Sequence, residues 1–104
     1  MADEIQILDF NDYMKKPVKV QAAKLTEDTW TVLRNQPNHV MHIYGRQLCA
    51  TEENNKKYFL IDTLEGLMQG NIGDMLIIGV KGEIYACKPD IFEQTYTELR
   101  CDND

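Results

Sequence analysis

Apolar and polar positions along this chain follow a period of two, broken near residue 26 by a stretch that fits a helix. Val18, Val20 and Ala22 alternate with Lys19 and Gln21, which predicts a strand with one face toward a core. The apolar phase then moves to Ala23 and Leu25, the mark of a bulge or of the strand's end near Ala22. Pro17, at the head of this strand, removes no central ladder bond. Thr26 has the chemistry of a helix N-cap, with Glu27 and Asp28 in the electropositive first turn. Leu25 before the cap and Trp30 after it have the spacing of a hydrophobic staple, so Trp30 and Leu33 should face the core. The helix should stop before the segment Asn35 to Asn38, where Pro37 restricts its neighbour and Asn38 favours a turn.

From Val40 onward the pattern is that of antiparallel sheet. Val40 to Tyr44 reads as one strand, Gln47 to Thr51 less clearly as a second, and Tyr58 to Thr63 as a third. Glu52 to Lys57 is a solvated hairpin connection, and Leu64-Glu65-Gly66 a tight turn into Leu67-Met68-Gln69. Gly73-Asp74 turns into Met75 to Val80, whose apolar residues on both faces predict a central, doubly buried strand. Lys81-Gly82 then makes a hairpin with Glu83 to Cys87. Asp90 reads as an N-cap with Glu93 three residues later, giving one helical turn over Asp90 to Gln94, and Thr95 to Leu99 as a closing strand. The resulting fold class is α+β: a small, barrel-like, mostly antiparallel β domain with one short helix after the first strand and one helical turn near the carboxyl end. An open sheet is the competing arrangement.

The expected organisation is an arm over 1–14, one α+β domain over 15–100 and a frayed tail over 101–104. In the arm, Ile5 and Ile7 alternate with polar neighbours, which suits an added edge strand or a short helix docking on a partner. A chain of 104 residues is one domain by size, able to bury about 60–68% of the surface its unfolded form exposes. Its 43% hydrophobic and 27% charged residues are the balance of a folded protein.

Charge sharpens this division. The net charge is −6, yet residues 15–100 hold eleven acidic and eleven basic residues, so the excess lies in Asp3, Glu4, Asp9, Asp12, Asp102 and Asp104. Phosphate binding needs clustered cations, and only the pairs Lys15–Lys16 and Lys56–Lys57 are present, which argues against nucleic acid as a partner. No run of about 18 apolar residues implies a membrane span. An amino end with four acids and no early Lys or Arg is unlike a secretory signal, which predicts an intracellular protein. Cys49, Cys87 and Cys101 are odd in number and widely spaced, as expected of reduced thiols rather than a disulfide framework.

Two stretches carry a family resemblance. Lys15-Lys16-Pro17-Val18-Lys19-Val20-Gln21-Ala22 resembles the opening of many small proteins encoded by tailed phages and prophages. Thr63-Leu64-Glu65-Gly66, Gly73-Asp74 and the run from Ile78 through Gly79-Val80-Lys81-Gly82-Glu83 to Cys87-Lys88-Pro89-Asp90-Ile91-Phe92-Glu93-Gln94-Thr95-Tyr96 resemble the carboxyl half of the same uncharacterised family. The family commonly has Pro and Trp flanking the Gly-Asp turn, where this chain has Ile72 and Met75, and Pro at the position of Ala86. It has no established activity to carry over. What the resemblance implies is a phage accessory protein working in the host cytoplasm.

Candidate chemistry is sparse. His39 and His42, if on one strand, point to opposite faces, and a zinc site with Cys49 and Cys87 would need the fold to gather all four. Cys87 beside Lys88 has the neighbour that lowers a thiol pKa, but no base is placed by spacing. Glu65, Asp74, Glu83 and Asp90 all lie at turns, where carboxylates serve backbone bonding as readily as they pair for catalysis. Gly66, Gly73, Gly79 and Gly82 do not make a phosphate-binding GxxxxGK loop. The best ligand-binding candidates are Lys81, Tyr85, Lys88 and Tyr96, lysines meeting an anion while tyrosines stack on a base. No catalytic residue, metal site or cofactor is assigned. The leading expectation is therefore a noncatalytic protein that binds a host protein or itself, inhibiting a host process. A nucleotide-signal sponge against antiviral defence is the alternative, followed by a small hydrolase or a minor virion component.

Overall fold

The computed structural model describes residues 8–14 and 17–99. Among these residues seven strands and two helices follow in the order β1 (Gln21–Lys24), α1 (Glu27–Arg34), β2 (Val40–Ile43), β3 (Arg46–Glu53), β4 (Lys56–Thr63), β5 (Gly66–Asn71), β6 (Met75–Ile78), β7 (Ile84–Cys87) and α2 (Pro89–Thr95). A single 3₁₀ turn, Pro37–His39, joins α1 to β2. The strands form two antiparallel sheets, one ordered β1-β6-β7 and the other β2-β3-β4-β5. The α+β class with two short helices therefore holds. The barrel does not: among the described residues no ladder joins the two sheets, which pack face to face instead.

Short connections set the larger sheet. Asn54 and Asn55 take φ of 53° and 65° in the two-residue turn between β3 and β4, a conformation Asn adopts at low cost. The register aligns Met41, Leu48, Ile61 and Met68 across all four strands, with Ala50, Phe59 and Gly70 in the next inward row. Leu48, Ala50, Phe59 and Ile61 are buried there against Leu76, Ile84 and Ala86 of the smaller sheet and Leu25, Trp30 and Leu33 beside it. Each fully buried large side chain contributes about 1.5–3 kcal/mol, so this shared layer holds the sheets together. Gly70 is the position where it is tightest. A Cβ there would come within 2.9 Å of Ile61 Cδ1 and 3.2 Å of Leu25 Cδ1, which accounts for a glycine inside a strand.

Helix α1 forms as its sequence dictates. Thr26 accepts the Thr29 N–H at 3.1 Å as N-cap, Trp30 and Leu33 are buried, and the helix ends at Asn35. Trp30 fastens it to the sheet, its indole N–H shared between the carbonyls of Thr51 and Tyr58, each at 3.1 Å. The Lys57 ammonium lies 4.9 Å from the same ring while donating to Glu27 Oε2 at 2.7 Å.

Strand β6 is central in the smaller sheet, and its neighbours Leu76 and Ile77 are both buried, as expected of a strand covered on both faces. Leu76 faces the shared core. Ile77 lies on the other side with Ala22 and Tyr85 as its cross-strand partners. The Tyr85 hydroxyl meets that of Tyr96 at 3.4 Å, which brings the end of α2 over this second face.

Three expectations change. The first strand begins at Gln21 rather than ahead of Val18, because β6 offers only four residues to pair with, and Val18 is exposed. Asp90 is not the N-cap: Pro89 occupies the first turn, where its missing N–H is harmless, and Asp90 Oδ1 accepts the Ile91 N–H at 2.9 Å. No closing strand forms over Thr95 to Leu99, because α2 continues through Thr95, helped by Phe92 stacking on Tyr96 with ring centres 5.0 Å apart. The edge strand or docking helix expected at Ile5 and Ile7, like the tail at 101–104, lies outside the described residues; residues 8–14 form no strand or helix, and Leu8, Phe10, Tyr13 and Met14 are exposed there.

Candidate functional site

Three turns meet at one end of the molecule. They are Tyr44-Gly45 between β2 and β3, Leu64-Glu65 between β4 and β5, and residues 79–83 between β6 and β7. Tyr44 lies directly against the third turn, its Cβ 3.4 Å from where a Cβ on Gly82 would stand. The second and third turns frame a cleft of about 390 Å³ lined by Thr63, Leu64, Glu65, Met68, Glu83, Ile84 and Tyr85. This is within the usual range for ligand pockets of roughly 300–1,000 Å³.

The turns are ordered from within. Thr63 Oγ1 accepts the Glu65 N–H at 3.1 Å and donates to the Gly66 carbonyl at 2.6 Å. Gly79 N–H donates to the Glu83 carbonyl at 2.8 Å, and Glu83 Oε1 accepts the Lys81 N–H at 2.9 Å. A side chain at Gly79 would fall in the space the Glu83 carboxylate occupies. Glu83 is thus held in place by its own turn. Glu65, by contrast, makes no side-chain hydrogen bond or ion pair among the described residues. Nearby, Arg46 approaches Asp62 at 3.7 Å.

Large apolar side chains stand out of these turns where polar residues are usual. Tyr44 is 69% exposed, Leu64 64%, Val80 67% and Leu67, beside them on β5, 74%. Tyr44 also takes φ of 51°, a left-handed conformation that costs a residue with a Cβ roughly 1–2 kcal/mol. The corresponding positions in the β3–β4 turn are both Asn. An exposed ring at a strained position gains little for folding, and such positions gather at functional surfaces.

The four sequence candidates do not converge. Lys81 stands in the β6–β7 turn and Lys88 beyond the far end of β7, separated by the strand's roughly 13 Å. Tyr85 and Tyr96 do come together through their hydroxyls, and of the four only Tyr85 lines the cleft. Burial, and then the Tyr96 hydrogen bond, push the Tyr85 hydroxyl up to about 12, so it keeps its proton at neutral pH. Among the turn carboxylates, Glu65 and Glu83 belong to the residues that line the cleft, whereas Asp74 accepts the Asn71 N–H at 2.9 Å and Asp90 accepts that of Ile91. His39 is not on the strand with His42; it sits in the 3₁₀ turn with Nδ1 2.9 Å from the Arg34 carbonyl oxygen. Among the described residues no three His, Cys, Asp or Glu gather as metal ligands, and no helix is long and apolar enough to cross a membrane. Ile72 and Met75, where the resembled family has Pro and Trp, are partly exposed and outside the cleft.

No family model, curated protein or solved structure matches the chain. The site must be read from its own geometry. The residues the sequence reading missed are Tyr44, Leu64 and Val80, and the signal was present in it: bulky apolar residues where hairpin turns call for Asn, Asp or Gly.

Proposed function

We propose that this protein is a noncatalytic binding module that engages a partner protein through the end bearing Tyr44, Leu64 and Val80. The observation that carries this reading is their shared exposure at the apices of three neighbouring turns. A loop-built apolar patch on rigid sheets is a common basis for recognition, because the scaffold keeps the ordering cost low. A copy of the same chain is the poorer partner. A two-fold contact through this end would oppose Glu65 and Glu83 to their own counterparts, with Lys81, among the described residues, the one nearby cation not already beside a carboxylate side chain. The resemblance of Thr63 to Gly66 and Ile78 to Tyr96 to phage-encoded proteins makes a host protein the partner in this reading, and inhibition of a host process the result. No observation favours the nucleotide sponge, since Lys81 and Lys88 do not flank a common cavity.

Comparative capture from host lysate tests this. The wild type should retain a defined partner that Tyr44→Asn and Leu64→Asp both lose, while Ile91→Ser, at an exposed apolar position on α2, retains it. Capture indifferent to the two turn variants, or absent altogether, overturns the proposal. Light scattering should find the free protein monomeric.

A further inference from the structure

The geometry points to the free edge of β5 as the docking site for an extended segment of the bound partner, added there as a further strand of the larger sheet; the inference rests on the binding role proposed above. The far end of β5 fixes the direction of its peptide groups. Asn71 donates its N–H to Asp74 Oδ2 at 2.9 Å, and its carbonyl accepts the Asp74 N–H at 3.0 Å, so both groups face away from β4. Along an antiparallel ladder this direction alternates from residue to residue. Leu67 and Gln69 therefore also turn their N–H and C=O away from β4, whereas Met68 and Gly70 bond to it. Among the described residues no backbone group or side chain bonds the peptide groups of Leu67 and Gln69 on that side, and both residues are exposed. Two donors and two acceptors in a row along one edge match the backbone of another strand.

Sheet edges are normally kept from pairing by being short, charged, broken by Pro or covered. The other three edge strands fit that rule. Strands β1, β2 and β7 have four residues each, β1 carries Lys24, and the Ala86 N–H of β7 is taken by Met68 Sδ at 3.4 Å. Strand β5 has six residues, Gly66–Asn71, and none of them is charged or Pro. Its position sets what covers it. It starts from the Leu64-Glu65 turn, and exposed Leu67 carries the apolar surface of Leu64 along the edge, so a partner seated on the three turns lies beside it. The added strand gains a cross-strand pair from an apolar side chain opposite Leu67, and Pro is excluded from its bonding positions. A second copy fits less well. The two-fold register that uses both open residues pairs Leu67 with Gln69 of the copy and sets Glu65 opposite Asn71 of the copy, where the Asp74 carboxylate already occupies the edge. Acid then meets acid at both ends of the pairing.

The probe is acetyl-Lys-Ile-Thr-Ile-Thr-Lys-amide, a strand-forming peptide with isoleucines to lie beside Leu67, titrated into the isotopically labelled full chain and followed by amide chemical shifts. The same peptide N-methylated at its four central residues, which deletes the donors on both of its edges, is the control. Saturable shifts at Leu67 and Gln69 are expected with the first peptide, with a dissociation constant on the order of 1 mM, and none with the control. Gln69→Pro deletes an outward N–H while leaving the ladder to β4 intact, so it should weaken binding at least about tenfold. Gln69→Thr loses the same side chain but restores the N–H, and should restore binding; the variants' spectra show directly whether they remain folded. Absence of saturable shifts, equal binding of the methylated peptide, or indifference to Gln69→Pro overturns the inference. So does a concentration-dependent dimer that Gln69→Pro abolishes, which gives the edge to a second copy. Any of these with Tyr44-dependent capture intact rejects the added strand alone. Saturation by the peptide without Tyr44-dependent capture rejects the turn surface instead.

Discussion

Replacing Trp30 with Phe removes the bond that fastens α1 to the β3–β4 hairpin. The indole is 6% exposed and its N–H bridges the Thr51 and Tyr58 carbonyls at 3.1 Å each. Phenylalanine keeps a ring in the core but deletes the donor, and breaking a buried hydrogen bond of this kind costs about 1–3 kcal/mol. The smaller ring also leaves a void worth about 1 kcal/mol if the layer does not collapse. The flanking cations, Lys57 at 4.9 Å and Arg34 at 5.3 Å from the ring, lose part of a contact worth roughly 0.5 kcal/mol at a site open to solvent. The sum is about 3 kcal/mol, a lowering of the melting temperature by roughly 12–24 °C for a domain of this size. Trp30 is the only tryptophan, so urea unfolding must be followed by far-ultraviolet circular dichroism in both proteins. A loss under about 1 kcal/mol would refute the reasoning, since it would mean that the N–H is not buried against the hairpin.

Three further outcomes follow from the same geometry. Thr26→Ala deletes the N-cap acceptor and should cost about 1 kcal/mol in urea unfolding, with most of the loss restored by Thr26→Ser. Tyr85 supplies a pH dependence. An unfolded tyrosine ionises near 10.0, whereas burial holds Tyr85 at about 12, so the linkage is silent below the lower value and stability falls as pH rises from there toward the upper one. Tyr85→Phe should flatten that part of the alkaline slope in urea midpoints, and an identical slope would count against the buried hydroxyl. Tyr44→Asn relieves the left-handed strain while giving up the ring's partial contacts, two changes of about 1 kcal/mol and opposite sign. Its unfolding free energy should therefore stay within about 1 kcal/mol of the wild type; a much larger loss would make Tyr44 a structural residue.

Helix α1 was legible to within a residue because every signal over residues 25–35 agreed: cap, acidic first turn, staple and stop. The central position of β6 was equally plain from Leu76 and Ile77, adjacent apolar residues that only a doubly covered strand can bury together. Closure of the sheet was not legible, because the period of two fixes which side chains share a face and says nothing about which edges meet. The carboxyl end was misread for a related reason. Thr95 to Leu99 has the composition of a strand, but Pro89 at the first turn and Phe92 four residues before Tyr96 favour helix, and no vacant edge takes up the segment. At the site, Lys81 and Lys88 look close in sequence but are separated by an entire strand. Glu65 and Glu83, eighteen residues apart, both belong to the residues that line the cleft because hairpin turns at one end of stacked sheets converge.

The most direct test of the binding surface is the affinity of the captured partner for wild type and for Tyr44→Asn, measured by titration calorimetry. An exposed aromatic that anchors an interface contributes about 2 kcal/mol or more, so the variant should bind at least about thirtyfold more weakly while unfolding at nearly the same urea concentration. Unchanged affinity in a variant of unchanged stability would contradict the account.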